Sequence, residues 1–142
     1  MLSKMKQYID VIVPRGGKSL VKKVQDLSSI PIIGHLEGIC HSYVDKDANP
    51  KIAKQVILNA KLRNTAICGA TETIILHEKI IKKFGLSILD DLKKHGCKII
   101  ADNKIRKIYN GKIKKATSQD WSKEYLDPTV SEKSVKNLDE AI

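Results

Sequence analysis

Short β-branched runs alternate with stretches of helical period along the chain, and this alternation predicts an α/β fold with a sheet flanked by helices. Three observations carry it. Runs rich in Ile and Val recur at residues 8–13, 30–33, 73–77 and 97–100. Between them, apolar residues return every three to four positions. Pro, Gly and Asn stand at the junctions, and 42% of the 142 residues are apolar, which is enough for a chain of this length to bury a core.

Residues 8–13 read as a buried strand closed by Pro14 and the Gly16-Gly17 pair. A helix follows over residues 19–27, with Leu20, Val24 and Leu27 on one face, and residues 30–33 give a second short strand. Together they form a βαβ-like unit of the kind that builds parallel sheets. Residues 37–44 are strand-like and run into the turn residues 45–49. Asn49 as N-cap and Pro50 at the first helical position start a helix that reaches about Lys61, with Ile52, Val56 and Ala60 toward the core. Residues 73–77 are a strand. Residues 79–95 are a helix with Ile81, Phe84, Ile88 and Leu92 at helical spacing, a kink at Gly85 and a left-handed cap at Gly96. Residues 97–100 begin another strand, and the lysine-rich stretch 102–118 reads as a loop or hairpin. Asn137 followed by Asp139 and Glu140 marks a helix start. A helix that short is not stable alone, and the first strand lacks neighbours, so the fold is expected to be truncated at both ends.

Composition excludes several classes of function. The net charge is +10, but of 26 basic residues only Arg15, Arg63 and Arg106 are arginine, and aromatics make up 4%. Specific phosphate and base recognition favours the arginine fork and aromatic stacking platforms, so no nucleic-acid partner is expected. No apolar run approaches the ~20 residues of a membrane span, and the N-terminus lacks the order of a signal peptide. No membrane association and a cytoplasmic location follow. Cys40, Cys68 and Cys97 form neither an even framework nor a C-x-x-C pair, and with the histidines they show no metal spacing. No metal is expected.

Cys68 stands out on its own terms. It lies in a turn of small residues between a helix and a strand, where Gly69 and Ala70 leave the backbone room to approach a substrate. A thiolate there can attack an electrophile while a turn amide stabilises the oxyanion. A solitary cysteine is more often inert packing, and Cys40 and Cys97, in strand-like contexts, read as core. His35 and His41 read first as hydrogen-bonded structural residues. Gly17-Lys18-Ser19 is not a P-loop, because that motif requires glycine where the chain has Ile12. The Gly pair between a strand and a helix still offers backbone amides to an anion, or is simply a turn.

Three passages, residues 59–73 around Cys68, residues 12–18 and residues 35–41, closely resemble gamma-glutamyl phosphate reductase (glutamate-5-semialdehyde dehydrogenase) of the aldehyde dehydrogenase superfamily. The resemblance runs over nearly the whole chain, and members of the family are much longer. It implies an aldehyde-dehydrogenase-like catalytic portion preceded by the last βαβ piece of the cofactor domain. Residues 1–36 would be a remnant of the nucleotide-binding domain and residues 37–142 a partial catalytic domain. It also implies that Cys68 is the catalytic nucleophile. Glu37 resembles the superfamily's strand-end glutamate, a general base in hydrolytic members. A reductase must not hydrolyse its thioester, so Glu37 would orient the site or assist proton transfer. Arg15, Gly16, Gly17 and Lys18 would lie near the nicotinamide side of an NADPH site. The implied substrate is gamma-glutamyl phosphate, reduced to glutamate-5-semialdehyde and phosphate in proline biosynthesis. The alternatives are a non-catalytic remnant, an interaction module that pairs through sheet edges into a homo-oligomer, or one half of a split enzyme whose N-terminal piece is separately encoded.

Overall fold

The structure, a computed structural model, describes residues 5–35 and 38–142. It divides into two compact units, Met1–Gly38 and Ile39–Ile142. In the first, helix α1 (Lys18–Leu27) joins two extended segments that meet in a single parallel bridge, Ile12 to Ile32. Two hydrogen bonds hold it, Ile12 N–H to the Pro31 carbonyl at 2.9 Å and Ile33 N–H to the Ile12 carbonyl at 3.0 Å.

The strands expected at 8–13 and 30–33 are thus reduced to one bridge, and the first is not buried as expected: Tyr8, Val11 and Val13 are exposed, while in the second Ile30 is buried and Ile33 exposed. Among the described residues each segment pairs only with the other. Pro14 and Pro31 also remove donors that a longer ladder would need. The buried residue of α1 is Val21, while Leu20 and Leu27 are exposed, which corrects the expected stripe. The close approach at Gly34 explains the choice, since a Cβ there would meet Pro14 Cγ at 3.2 Å and Val21 Cγ1 at 3.7 Å.

The second unit is a five-stranded sheet with helices. In chain order it runs β1 (Cys40–Val44), α2 (Pro50–Leu62), β2 (Thr71–His77), α3 (Leu86–Lys94), β3 (Lys98–Ala101), α4 (Asn103–Ile108), β4 (Lys114–Lys115), β5 (Thr129–Val135) and α5 (Leu138–Ala141). The strand order is β1-β2-β5-β3-β4, and every pair is parallel. β2 is buried along its whole length, as a strand covered on both faces must be. The core joins Ile74 and Leu76 of β2 to Ile57, Ile88, Leu89, Leu92, Ile105 and Val130.

Local chemistry accounts for most boundaries. Asn49 Oδ1 accepts from Lys51 N–H at 3.0 Å and Ile52 N–H at 3.1 Å, and Pro50 opens α2. The helix is rotated about one residue from the expected face. Ile57 is 2% exposed, whereas Ile52 and Val56 are 59% and 55% exposed. A stripe of Ala53, Ile57 and Lys61 faces inward instead, and the buried ion pair made by Lys61 fixes that rotation.

The helix expected over 79–95 is three pieces, a 3₁₀ turn at Glu78–Ile80, a π turn at Ile81–Gly85 and then α3. Gly85 sits at the joint, where a Cβ would lie 3.3 Å from the Ile80 carbonyl oxygen and 3.3 Å from Leu76 Cδ1. Gly96, at φ +80°, closes α3: Cys97 N–H reaches the Leu92 carbonyl at 3.0 Å and Gly96 N–H the Lys93 carbonyl at 2.9 Å, a Schellman pair. The stretch expected as a loop or hairpin holds α4 and β4. Asp102 Oδ1 caps α4 by accepting from Ile105 N–H at 2.8 Å, and Ile105 and Ile113 anchor the segment in the core.

Candidate active site

Cys68 lies between α2 and β2. Asn64 Oδ1 accepts from Ala66 N–H at 3.2 Å, and Ala70 N–H closes on the Ile67 carbonyl at 3.0 Å. Cys68 and Gly69 are therefore the two central residues of a β-turn. The Cys68 thiol is free and exposed, and a Cβ at Gly69 would meet nothing within 4 Å. Among the described residues no hydrogen-bond acceptor is recorded for the Cys68 or Gly69 amide. An exposed thiol and unpaired turn amides thus share one open surface, the arrangement that a thiol nucleophile and an oxyanion site require.

Both ends of this loop are tied down inside the protein. Lys61, in the last turn of α2, donates from Nζ to Glu72 Oε2 on β2 at 2.7 Å, and both side chains are essentially inaccessible. Glu72 Oε1 also accepts from Leu126 N–H at 3.2 Å. On β5, beside β2, Ser131 Oγ lies 3.2 Å from the Glu72 carbonyl and 3.3 Å from the Asp120 carbonyl, the two acceptors within reach of its one proton, and it is hydrogen-bonded to Thr73 Oγ1 at 2.8 Å. Asp120 takes hydrogen bonds from Thr117 N–H, Thr117 Oγ1 and Tyr125 Oη at 2.8, 2.7 and 2.9 Å. Burial pushes the Asp120 carboxyl up, but these donors outweigh it and hold the pKa below the usual carboxylate value. Sequence reading missed this network. Its one legible signal was charge at positions of a buried pattern: Lys61 continues the inward stripe of α2, and Glu72 interrupts an apolar strand.

The other cysteines differ. Cys40 opens β1 and is half-buried, and its Sγ donates to the Cys68 carbonyl at 3.2 Å. Cys97 is buried core, as expected, and burial pushes its thiol up to about 12 against the opposing pull of Lys61. His41 Nδ1 lies 3.1 Å from the Ile39 carbonyl, a local structural bond. His35 is exposed, and Glu37 lies outside the described residues. Among the described residues no group of three or more His, Cys, Asp or Glu is placed to hold a metal, and no helix is long and apolar enough to cross a membrane.

Arg15, Gly16, Gly17 and Lys18 belong to the first unit. All four are exposed. Gly16 adopts φ +149°, and Gly17 is the N-cap of α1 with no side-chain capping bond. A Cβ at Gly17 would enter open space. A ten-residue helix whose N-cap is a glycine with no side-chain bond, reached over a Gly pair beside an arginine, fits an anionic group such as a phosphate.

No protein-family model matches the chain. It is 48% identical over 134 residues to the gamma-glutamyl phosphate reductase of Bartonella tribocorum, covering 94% of this chain and 32% of that protein. It is 45% identical over 142 residues to the gamma-glutamyl phosphate reductase of Rhodospirillum rubrum, covering 100% of this chain and 33% of that one. The chain therefore spans about a third of the length of the curated relatives it matches. Among solved structures, the gamma-glutamyl phosphate reductase of Thermotoga maritima superposes with a TM-score of 0.93 at 38% identity, over 99% of this chain and 34% of that chain. A betaine aldehyde dehydrogenase of Staphylococcus aureus shares the fold at a TM-score of 0.68 and 16% identity, over 99% of this chain and 37% of that chain. Along its whole length the chain is homologous to one third of gamma-glutamyl phosphate reductase, and it takes the aldehyde-dehydrogenase-like α/β fold.

Proposed function

We propose that this chain supplies the thiol-bearing segment of an NADPH-dependent gamma-glutamyl phosphate reductase, with Cys68 as the nucleophile. One observation carries the reading: of the three cysteines in this homologous chain, Cys68 is the exposed one and sits at the centre of a turn. In the cytoplasm, the Cys68 thiolate would attack the acyl carbon of gamma-glutamyl phosphate, and the tetrahedral intermediate would expel phosphate to leave a thioester. The open amides of Cys68 and Gly69 would hold the oxyanion of that intermediate. Reduced nicotinamide, when bound, supplies the hydride that reduces the thioester carbon. The Cys68 sulfur then departs as the thiohemiacetal collapses to glutamate-5-semialdehyde. Arg15, Gly16, Gly17 and Lys18 would hold an anionic portion of the cofactor at the start of α1, and Glu37 would orient the site or assist proton transfer.

The acylation half of the reaction tests this reading on the chain itself. Gamma-glutamyl phosphate generated in situ by a glutamate kinase and ATP should leave a hydroxylamine-labile glutamyl adduct on Cys68, read by peptide mass mapping. The Cys68→Ala protein should carry none. Equal adduct on Cys40 or Cys97, or no adduct at all, would refute the assignment. Reduction of the adduct is a separate matter. Positioning a nicotinamide against the thioester carbon supplies roughly 7–11 kcal/mol of a hydride-transfer barrier, and we assign that task to the part of the relatives' length that this chain does not span.

A further inference from the structure

The contact between Cys40 and Cys68 is independent of any reaction with an acyl phosphate. β1 and β2 are neighbouring parallel strands, with Cys40 opposite Thr71. Three residues before Thr71, the turn closed by the Ala70 amide on the Ile67 carbonyl folds Cys68 back toward the start of β1. The result is that the Cys40 sulfur rests 3.2 Å from the Cys68 carbonyl oxygen, although 28 residues separate the two in sequence.

A disulfide requires Cα atoms about 4.4–6.8 Å apart and Cβ atoms about 3.5–4.5 Å apart. The Cys68 carbonyl oxygen that the Cys40 sulfur touches is two bonds from the Cys68 Cα, so the pair is a backbone adjustment away from that window. Two features supply the adjustment. Register shifts between Cys40 and His41, so the ladder is already irregular where Cys40 sits. Gly69 follows Cys68 with open space around it, so the turn can rotate without a clash. The third thiol is out of reach of this chemistry, because Cys97 is buried and burial disfavours its thiolate.

We propose that Cys40 is a resolving cysteine for Cys68, and that a hydroperoxide converts the pair into an intramolecular disulfide. The thiolate of Cys68, the more exposed of the two, would attack hydrogen peroxide. This forms an S–O bond and releases hydroxide, which leaves as water once protonated, and Cys68 becomes a sulfenic acid. The Cys40 thiolate would then attack the Cys68 sulfur and displace a second hydroxide, again lost as water. Two thiols are oxidised by two electrons, one peroxide is reduced to two waters, and a dithiol reductant restores the pair by exchange. Further oxidation of Cys68 to the irreversible sulfinic acid is thereby forestalled.

The test is peroxide titration of the native protein, quenched by alkylation in denaturant and mapped by mass spectrometry without reduction. The expected product is a peptide pair joined through Cys40 and Cys68, formed at a rate independent of protein concentration and reversed by dithiothreitol, with Cys97 still alkylated. Cys40→Ser should accumulate sulfinic acid at Cys68 several-fold faster than the parent. Cys97→Ser should behave like the parent. Sulfinic acid at Cys68 with Cys40 still free, disulfides only between molecules, or equal sulfinic acid formation in parent and Cys40→Ser would each overturn the proposal. Any of these results would leave the acylation experiment on Cys68 unaffected, so the two ideas fail separately.

Discussion

Glu72, Asp120 and Glu132 are all buried in the second unit, yet only the first two find donors. Both carboxylate oxygens of Glu132 lack a hydrogen-bond partner among the described residues. Burial first, and the nearby Asp102 carboxylate second, raise its pKa well above the ordinary 4.5 and favour the neutral acid. An acid whose folded pKa is raised contributes stability that is complete below its unfolded pKa. That stability is lost as the pH climbs toward the folded value, because the unfolded chain releases the proton first. Thermal melts should therefore show a midpoint that falls as pH rises above about 4.5. Glu132→Gln should lose that part of the slope, and Glu132→Leu should be more stable at neutral pH by roughly 1–3 kcal/mol, the cost of an unpaired buried polar group. A Glu132→Leu protein no more stable than its parent at neutral pH would show that the carboxyl has found a partner. Legibility at this scale was uneven. Cys68 could be singled out because a cysteine in a turn of small residues is a local pattern. Glu132 could not, since its burial is decided by strands on either side that come from elsewhere in the chain.

The Cys68 loop is held by the ends of two elements. Lys61 and Glu72 are each 0% exposed and pair at 2.7 Å, so removing one partner strands the other charge in the interior. Lys61→Met alone should destabilise the protein by about 3–5 kcal/mol. Lys61→Met combined with Glu72→Gln should recover much of that loss, since a glutamine can still accept from the Leu126 amide. Chemical denaturation of the two single variants and the double variant measures the coupling, and strict additivity would sink the idea that the pair acts as a unit. The same pair explains why α2 was found in sequence but placed on the wrong face. Its cap and first turn follow from Asn49 and Pro50, whereas its rotation follows from a lysine that reads as surface. The helical stretch 79–95 was readable through Ile81, Ile88 and Leu92, and its break before α3 through Gly85. β5 escaped notice altogether. Its run Ser131, Glu132, Lys133 and Ser134 lacks both alternation and apolar continuity, and its burial comes from the sheet on both sides.

In the whole molecule, the contiguous apolar core lies entirely within residues 39–142, from Val44 to Val130. A protein starting at residue 39 should consequently unfold cooperatively in guanidinium, with a midpoint close to that of the full chain, and a broad, non-cooperative transition would contradict this. The α/β class was legible from the alternation of runs, but the order of strands was not, because no local pattern records which strand lies between which. β5 occupies the middle position, hydrogen-bonded to β2 on one side and β3 on the other. It also comes last of the five strands in chain order. At roughly 5–20 residues per second, a growing chain spends seconds with β2 and β3 complete, each offering a bare edge toward a gap that nothing yet fills. Those edges are templates for pairing with another chain. Translation that stops short of Thr129 would release two half-sheets with no strand to join them, a product for chaperones and proteases rather than a shorter version of the same domain.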